Sequence, residues 1–324
     1  MNCFDILKIL SDGKVHSGVE IGRKLGVSRT SVWKSISNEC TGSLNIQTVK
    51  GLGYQLKGGL DLLDYQIVSN GMGILNNQIQ SIELFQEIAS TNSYLLAKDT
   101  IDLGEKFFVC FAEAQSEGRG RRGRRWVSPY AQNLYLSLKF SLSGGVDKIS
   151  GLSLVAGVSI AKALQELGVS VGLKWPNDVL FEGKKLAGVL VELSGESESS
   201  WDVVVGVGFN VYMDQQHYKS KIDQDWIALS DIGKTQKIKR NDLAILLIKR
   251  LICDISSFRK EGFNSFKVFW EKYDTLKGHV VIAQNKKIKG IAQGVDALGA
   301  LRLETSGGIK TISAGEVERL RHES

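Results

Sequence analysis

A chain of 324 residues, 43% of them hydrophobic, can bury ample core and is expected to divide into two or three domains. Forty-one Lys and Arg against 35 Asp and Glu leave a net charge of +6, too little by itself to define an acidic partner. The four cysteines and four histidines are scattered without a C-x-x-C, which argues against a zinc site or a disulfide framework, and no cationic leader or run near ~20 apolar residues is present, so the expected compartment is the reducing cytoplasm, with no membrane partner and no tightly bound metal.

Charge is distributed unevenly. Residues 1–60 carry eight basic side chains and four acidic ones, most of the chain's surplus in under a fifth of its length. Phe4, Leu7 and Leu10 are spaced for one face of a helix over 3–10 that Asp12-Gly13 stops. Ser17 is a natural N-cap for a second helix running to Leu25 and ending at Gly26, and Ser28 caps a third through about Glu39. Residues 45–56 form two short strands meeting at a basic, glycine-containing tip, followed by the linker-like Gly58-Gly59. This order reads as a winged helix-turn-helix over 1–60, whose third helix enters the DNA major groove while the wing meets phosphate. Arg29, Thr30, Ser31, Lys34 and Ser37 lie away from Val32 and Ile36 and are the expected DNA contacts, with Lys50 on the wing. A small packing domain with a solvated basic face is the alternative. The tight Gly-Val-Ser turn, the basic helix and the wing together favour DNA.

The block from 61 to 273 alternates helices and strands. Strands are expected at 106–114 and 133–140, a long helix with small residues for close packing at 149–167, and a hairpin of 179–181 and 186–193 turning at Glu182-Gly183-Lys184. A strand at 201–210 and an amphipathic helix at 242–261 follow. From 274 to 324 the chain is strand-dense, with turns at 284–287, 296–299 and 306–308, as in a small β-barrel or sandwich. No repeats occur. The serine-rich stretch 194–200 reads as a loop between strands.

The densest chemical signal is Gly118-Arg119-Gly120-Arg121-Arg122-Gly123-Arg124-Arg125. It spells G-x-G-x-x-G, but a dinucleotide fingerprint must open a helix, and here Trp126-Val127-Ser128-Pro129 and a strand follow. An RGG-like tether is usually a disordered tail, whereas this segment is bracketed by strands. A ligand clamp fits better: glycines admit close backbone approach, and arginines supply paired donors to phosphate or carboxylate oxygens. Five like charges repel one another, so such a loop is expected to be mobile until an anion arrives.

Other segments allow two readings each. Ser90-Thr91-Asn92 is either a helix cap or a set of pocket hydroxyls and an amide. Lys174-Trp175-Pro176-Asn177-Asp178 is either a structural turn or part of a site. Strand alternation places Lys185 on one face with Ala187, Val189 and Val191, as a snorkelling edge residue or a buried cation facing a ligand carboxylate. Trp226 belongs to the core or stacks on a purine.

Taken in order, Ser90-Thr91-Asn92, Ala112-Glu113-Ala114-Gln115, the loop through Trp126, Lys174 to Asp178, Lys185-Leu186-Ala187-Gly188 with Val191-Glu192, and Gly206-Val207-Gly208-Phe209-Asn210 resemble the biotin–protein ligase family. With the winged head in front, the chain resembles its bifunctional ligase and biotin-operon-repressor branch. That resemblance implies an α/β (α+β) protein: a winged helix-turn-helix (1–60), a central mixed-sheet ligase domain (61–273) and a small C-terminal SH3-like β-barrel (274–324). It implies biotin and ATP with Mg²⁺ as substrates, a biotinoyl-AMP intermediate, and transfer to a lysine of a biotin carboxyl carrier domain of acetyl-CoA carboxylase. Ser90, Thr91, Asn92, Gln115, Gly118, Arg119, Gly120, Arg121, Lys185, Asn210 and Trp226 are the implied biotin and adenylate contacts. Lys185, Arg119 and Arg121 are implied to stabilise charge, and Asp178 to orient or deprotonate the acceptor lysine. Operator DNA and a homodimer favoured by biotinoyl-AMP complete the implied partners. A ligase with a non-repressing head, or a lipoate-type ligase, are the alternatives.

Overall fold

The computed structural model describes residues 3–38, 44, 46–99, 103–194, 200–233, 235, 238–283 and 287–320. Glu39, Asn45, 195–199 and 284–286, on which expected boundaries fall, lie outside the described residues.

The head comprises α1 (Cys3–Leu10), α2 (Gly18–Leu25), α3 (Arg29–Asn38) and a hairpin of β1 (Ile46–Val49) and β2 (Gly53–Leu56). Its caps are those the sequence names. Ser17 Oγ accepts from Glu20 N at 3.1 Å, and Gly26 ends α2 with φ 66°, a left-handed geometry that glycine adopts without a Cβ clash. Ser28 Oγ accepts from Ser31 N at 3.1 Å and opens α3. Ile6, Leu10, Ile21, Val32, Ile36 and Leu56 form one buried core, so the apolar spacing of the helices converges on the wing. The wing is fastened by two hydrogen bonds of 2.9 Å between the backbones of His16 and Tyr54. Only glycine fits at Gly53, where a Cβ would lie 2.1 Å from His16 O.

After the head come α4 (Tyr65–Met72), β3 (Ile79–Ile88), α5 (Thr91–Leu96), β4 (Phe107–Gln115), β5 (Asn133–Ser143) and α6 (Leu152–Glu166). Then follow β6 (Gly172–Lys174), β7 (Asp178–Phe181), β8 (Lys184–Ser194), β9 (Ser200–Asn210), α7 (Gln215–Tyr218), α8 (Arg240–Glu261) and α9 (Lys267–Tyr273). The seven central strands lie in the order β3-β4-β5-β9-β8-β7-β6, with β3 and β4 parallel and the other pairs antiparallel. One face of this mixed sheet is covered by α6, which is backed by α8. Because α6 is enclosed on both sides it is apolar almost all round, which explains its small residues. The opposite face carries α5 and an open cavity. β3 has no counterpart in the sequence reading, because a half-buried edge strand mixes polar and apolar positions without clean alternation.

The C-terminal block forms β10 (Val280–Ala283), β11 (Ile288–Val295), β12 (Leu301–Thr305), β13 (Gly308–Ile312) and β14 (Val317–Arg319), a five-stranded antiparallel sheet in the order β13-β12-β11-β10-β14. It abuts the central sheet: the Trp175 indole N–H donates to Gly299 O at 3.0 Å. At the other end the head is held by α1, where Phe4 stacks on Tyr130 with centroids 5.1 Å apart. The connection after the head is anchored by a fully buried ion pair, Arg240 Nη1 to Glu113 Oε2 at 2.7 Å. Leu63 N donates to Glu113 at 2.6 Å, and Arg240 donates to Asp61 O at 2.7 Å, so the charges bind backbone as well as each other. Cys110 is a buried free thiol and Cys253 an exposed one. Among the described residues no helix is long and apolar enough to cross a membrane.

Candidate active site

A cavity of about 500 Å³ lies on the α5 side of the central sheet. Its floor is glycine. A Cβ on Gly208 would come within 2.4 Å of the Trp126 indole, one on Gly188 within 3.1 Å of the same ring, and one on Gly206 within 2.2 Å of Asn92 Oδ1. These strand glycines let side chains lie flat on backbone, which any larger residue prevents.

Lys185 reaches the cavity through an irregularity. The β7–β8 register slips between Val179 opposite Ala187 and Leu180 opposite Lys185, leaving Leu186 as an extra residue. Leu186 and Ala187 therefore both enter the core, while Lys185 and Gly188 both line the cavity. Simple alternation, which groups Lys185 with Ala187 and Val189, is corrected here: the bulge re-aims the lysine to the opposite face. Its Nζ lies 2.8 Å from Asp178 Oδ1 and 5.2 Å from the Trp126 ring centroid.

One wall is a locked polar array. Ser90 is both cap and wall residue: its Oγ accepts from Ser93 N at the start of α5, and it lines the cavity. Thr91 donates to Gln115 Oε1 from its backbone at 2.9 Å and its hydroxyl at 3.1 Å, and Gln115 Nε2 donates to Ser128 Oγ at 3.1 Å. Ser137 Oγ lies 2.7 Å from Thr91 Oγ1 and 2.6 Å from Asn92 Oδ1. Buried and cross-linked, these groups cannot reorient cheaply, so they present a fixed pattern to a polar ligand.

The arginine loop is a hairpin. Gly120 N donates to Arg124 O at 2.7 Å and Trp126 N to Gly118 O at 2.8 Å, with Arg122 (φ 57°) and Gly123 (φ 72°) in left-handed conformation at the tip. Only a three-residue 3-10 turn over Arg121–Gly123, broken at Arg122, lies there and no α-helix opens from the loop, so the dinucleotide reading fails on geometry as well as on sequence. Gly118 stands behind the hairpin, where a Cβ would meet Ser128 Oγ and Trp126 O at 2.5 Å. The expected repulsion among the arginines is answered by carboxylates from elsewhere. Arg119 lies 3.2 Å from Glu192 and donates to Ser93 Oγ at 2.8 Å. Arg122 and Arg124 both pair with Glu316 of the C-terminal block. Arg121 donates to Gly315 O at 3.1 Å and to Asn177 Oδ1 at 3.4 Å, and burial, then the charge of Arg122, makes its proton easier to lose than usual.

The remaining expected residues are also present. Asn210 is buried and donates to Lys185 O and Ile227 O at 3.3 Å, so it holds the segment around Trp226 against β8. Trp226 lines the cavity and packs with Met213 and Tyr218, as its core reading expects. In 174–178, Asn177 is structural, exchanging bonds with the Val189 backbone, while Asp178 faces Lys185. The sequence sets Gly188 beside Lys185 as a small neighbour and shows Trp126, Glu192, Gly206 and Gly208 only as motif members, whereas Glu316 stands in none of its motifs. The alternate glycines of β9 were the available signal. Glu316 had none, since it comes from a distant sheet. Among the described residues no group of three or more His, Cys, Asp or Glu side chains could hold a metal ion.

On the head, Arg29, Thr30, Lys34, Ser37 and Lys50 are exposed. Ser31 is half-buried and its hydroxyl lies 2.9 Å from that of Ser28, so it serves the start of α3. The stem of Arg29 lies over Gly18, beside the Tyr54 ring, which ties the recognition helix to the wing.

Residues 84–210 match the biotin/lipoate A/B protein ligase family, 279–320 the biotin protein ligase C-terminal domain, and 3–55 an HTH domain. The chain is 38% identical over 315 residues to the bifunctional ligase/repressor BirA of Escherichia coli (strain K12), covering 96% of this chain and 95% of that protein. It is 31% identical over 249 residues to the biotin–[acetyl-CoA-carboxylase] ligase of Mycobacterium tuberculosis, covering 75% of this chain and 90% of that one. Among solved structures, the biotin protein ligase from Aquifex aeolicus in complex with biotin and ATP superposes with a TM-score of 0.63 at 30% identity, covering 75% of this chain and all of that one.

Proposed function

Because the chain belongs to the biotin–protein ligase family, we propose that it joins biotin to a carrier protein at the expense of ATP and represses transcription when it holds the intermediate. The observation that carries the ligase reading is the cavity itself: a locked polar wall beside a cluster of Lys185, Arg119 and Arg121 on a glycine floor. The wall of Ser90, Thr91, Asn92 and Gln115 suits the ureido ring of biotin, and the cations suit its carboxylate and the nucleotide phosphates.

In the first step a carboxylate oxygen of biotin attacks the α-phosphorus of ATP; the bond to the bridging oxygen breaks and pyrophosphate leaves. Two anions must meet, so neutralisation and alignment dominate the barrier. Lys185 bridges carboxylate and phosphate, and Arg119 and Arg121 take up the developing charge. In the second step the amine of an acceptor lysine attacks the acyl carbon of biotinoyl-AMP, and AMP departs. Once the ligand engages Lys185, Asp178 is released from its ion pair and accepts the proton lost by that amine. Gly118 and Gly120 let the loop backbone approach the adenylate, and Asn210 keeps Trp226 against the purine. Mg²⁺ accompanies ATP as its counter-ion.

The division 1–60, 61–273 and 274–324 assigns DNA binding, ligation and closure of the site respectively. Arg29, Thr30, Lys34, Ser37 and Lys50 would meet operator DNA, with Ser31 supporting the helix start. The outer end of β8, which β7 and Asn177 leave unpaired beyond Val189, suits edge-to-edge dimerisation favoured by biotinoyl-AMP. The acceptor is a biotin carboxyl carrier domain of acetyl-CoA carboxylase, and the setting is cytoplasmic.

The test is incubation of the full chain with ATP, biotin and a carrier domain, read by mass spectrometry. A biotin-sized mass increase that lipoate does not replace is expected; labelling by lipoate instead would assign the alternative specificity. A gel shift on the upstream region of its biotin genes, with and without ATP and biotin, separates repressor from ligase with an inert head.

A further inference from the structure

The recognition helix α3 has two distinct faces. Val32, Ser35 and Ile36 are buried, whereas Arg29, Thr30, Trp33, Lys34 and Ser37 are exposed along one stripe. Trp33 stands near the middle of that stripe with 55% of its surface exposed, the one large apolar side chain among cations and hydroxyls. A single exposed apolar side chain is ordinary, but an indole set among cations on this one stripe offers an apolar plate to whatever those cations bind. The flanking charges say what kind. Arg29 and Lys34 on either side favour a polyanion, and a polyanion with an apolar projection at the right depth is duplex DNA, whose major groove displays the thymine C5-methyl group. Trp33 is the fifth residue of α3, within the N-terminal turns that reach base edges in this motif. The stem of Arg29 and the Tyr54 ring both lie against Gly18, so the start of α3 meets the wing at α2.

We propose that Trp33 is a specificity-determining residue that reads a thymine methyl group in the major groove through the face of its indole ring. The inference rests on the DNA-binding reading of the head and adds a base-reading contact to a set otherwise composed of hydroxyls and cations. Those can bond to phosphate at any sequence, whereas an apolar plate against a methyl group distinguishes thymine from cytosine at one position.

The experiment selects duplexes from a random pool with the full chain plus ATP and biotin, for the native protein and Trp33→Ala. Each thymine of the selected site is then replaced by deoxyuridine, which deletes only the methyl group. The native protein is expected to lose about fourfold in affinity at one thymine, the worth of one buried methyl group. Trp33→Ala should show no loss there and no thymine preference at that position, with biotin transfer to the carrier unchanged as the control for folding. An identical selected sequence for both proteins, or equal sensitivity to deoxyuridine, would overturn the proposal. So would a Trp33→Ala effect confined to self-association, which would make the indole a protein contact. If the native protein selects no sequence at all, the DNA-binding reading fails, and this inference with it.

Discussion

The ligand cavity and the recognition face of the head both gather cations, yet they hold them in opposite ways. At the cavity five cations are matched by a carboxylate or carbonyl from another segment: Lys185 by Asp178, Arg119 by Glu192, Arg122 and Arg124 by Glu316, and Arg121 by the Gly315 carbonyl. On the head Lys34 and Lys50 are exposed to solvent. The difference follows from the task. A transition state is stabilised only by charges already in position, which requires partners to fix them. Phosphate tracking depends on the summed field and on counter-ion release, which tolerate freely moving side chains.

The largest effect is expected at the cavity. Lys185→Ala should slow biotin-dependent pyrophosphate release by about 10²–10³-fold, the usual worth of a preorganised charge donor, while leaving duplex binding without ATP and biotin unchanged. Near-normal release would remove Lys185 from the chemistry. On the head, Lys34→Ala should weaken binding to all duplexes alike and lower the log–log salt slope by about 1. A loss restricted to one sequence would show that Lys34 reads bases and behaves like a fixed cavity cation.

The smallest effect concerns His16, the head's counter-example to mobile charge. Its ring nitrogens face Asp12 at 3.0 Å and Glu20 at 3.1 Å, an arrangement in which both donate only when the ring is charged. Burial pulls its pKa down, but the bonds to Asp12 and Glu20 outweigh burial and hold it above the ordinary 6.5. Its contribution to stability is therefore complete below that value and is lost as pH rises through the raised one. At the acid end it fades as Asp12 and Glu20 protonate. Thermal unfolding followed on the head should shift down by a few degrees from about pH 6 to pH 8, and His16→Gln should flatten that slope. An unchanged slope would show that the wing's backbone bonds to His16 suffice alone.

Local chemistry was legible where it is decided locally. Ser17, Gly26 and Ser28 punctuate the head's helices because capping involves groups three or four residues apart. The arginine loop stood out through its glycines, which admit close backbone approach, and through Trp126 and Pro129 in place of a helix. That it is a hairpin with Arg122 and Gly123 left-handed at its tip is seen only in the structure. The wall residues Ser90, Thr91, Asn92 and Gln115 were named in advance, and the structure brings them together with Lys185, Asp178, Asn210 and Trp226 around one cavity.

What tertiary structure alone decided is each point at which distant segments meet. The face on which Lys185 emerges depends on one inserted residue in the β7–β8 register, invisible to an alternation count because a bulge is a property of two strands. Neutralisation of the arginine loop depends on Glu192 and Glu316, the latter from the C-terminal sheet, so a charge run that reads as self-repelling is a paired network. The glycine floor acquires its meaning only when Trp126 lies across Gly188 and Gly208. Sequence by itself determined the chain's local conformations and its inventory of charges, because these depend on neighbours along the chain. Their facing and pairing were left to the packing of strands and domains, because a side chain's partners in space carry no signature in its own segment.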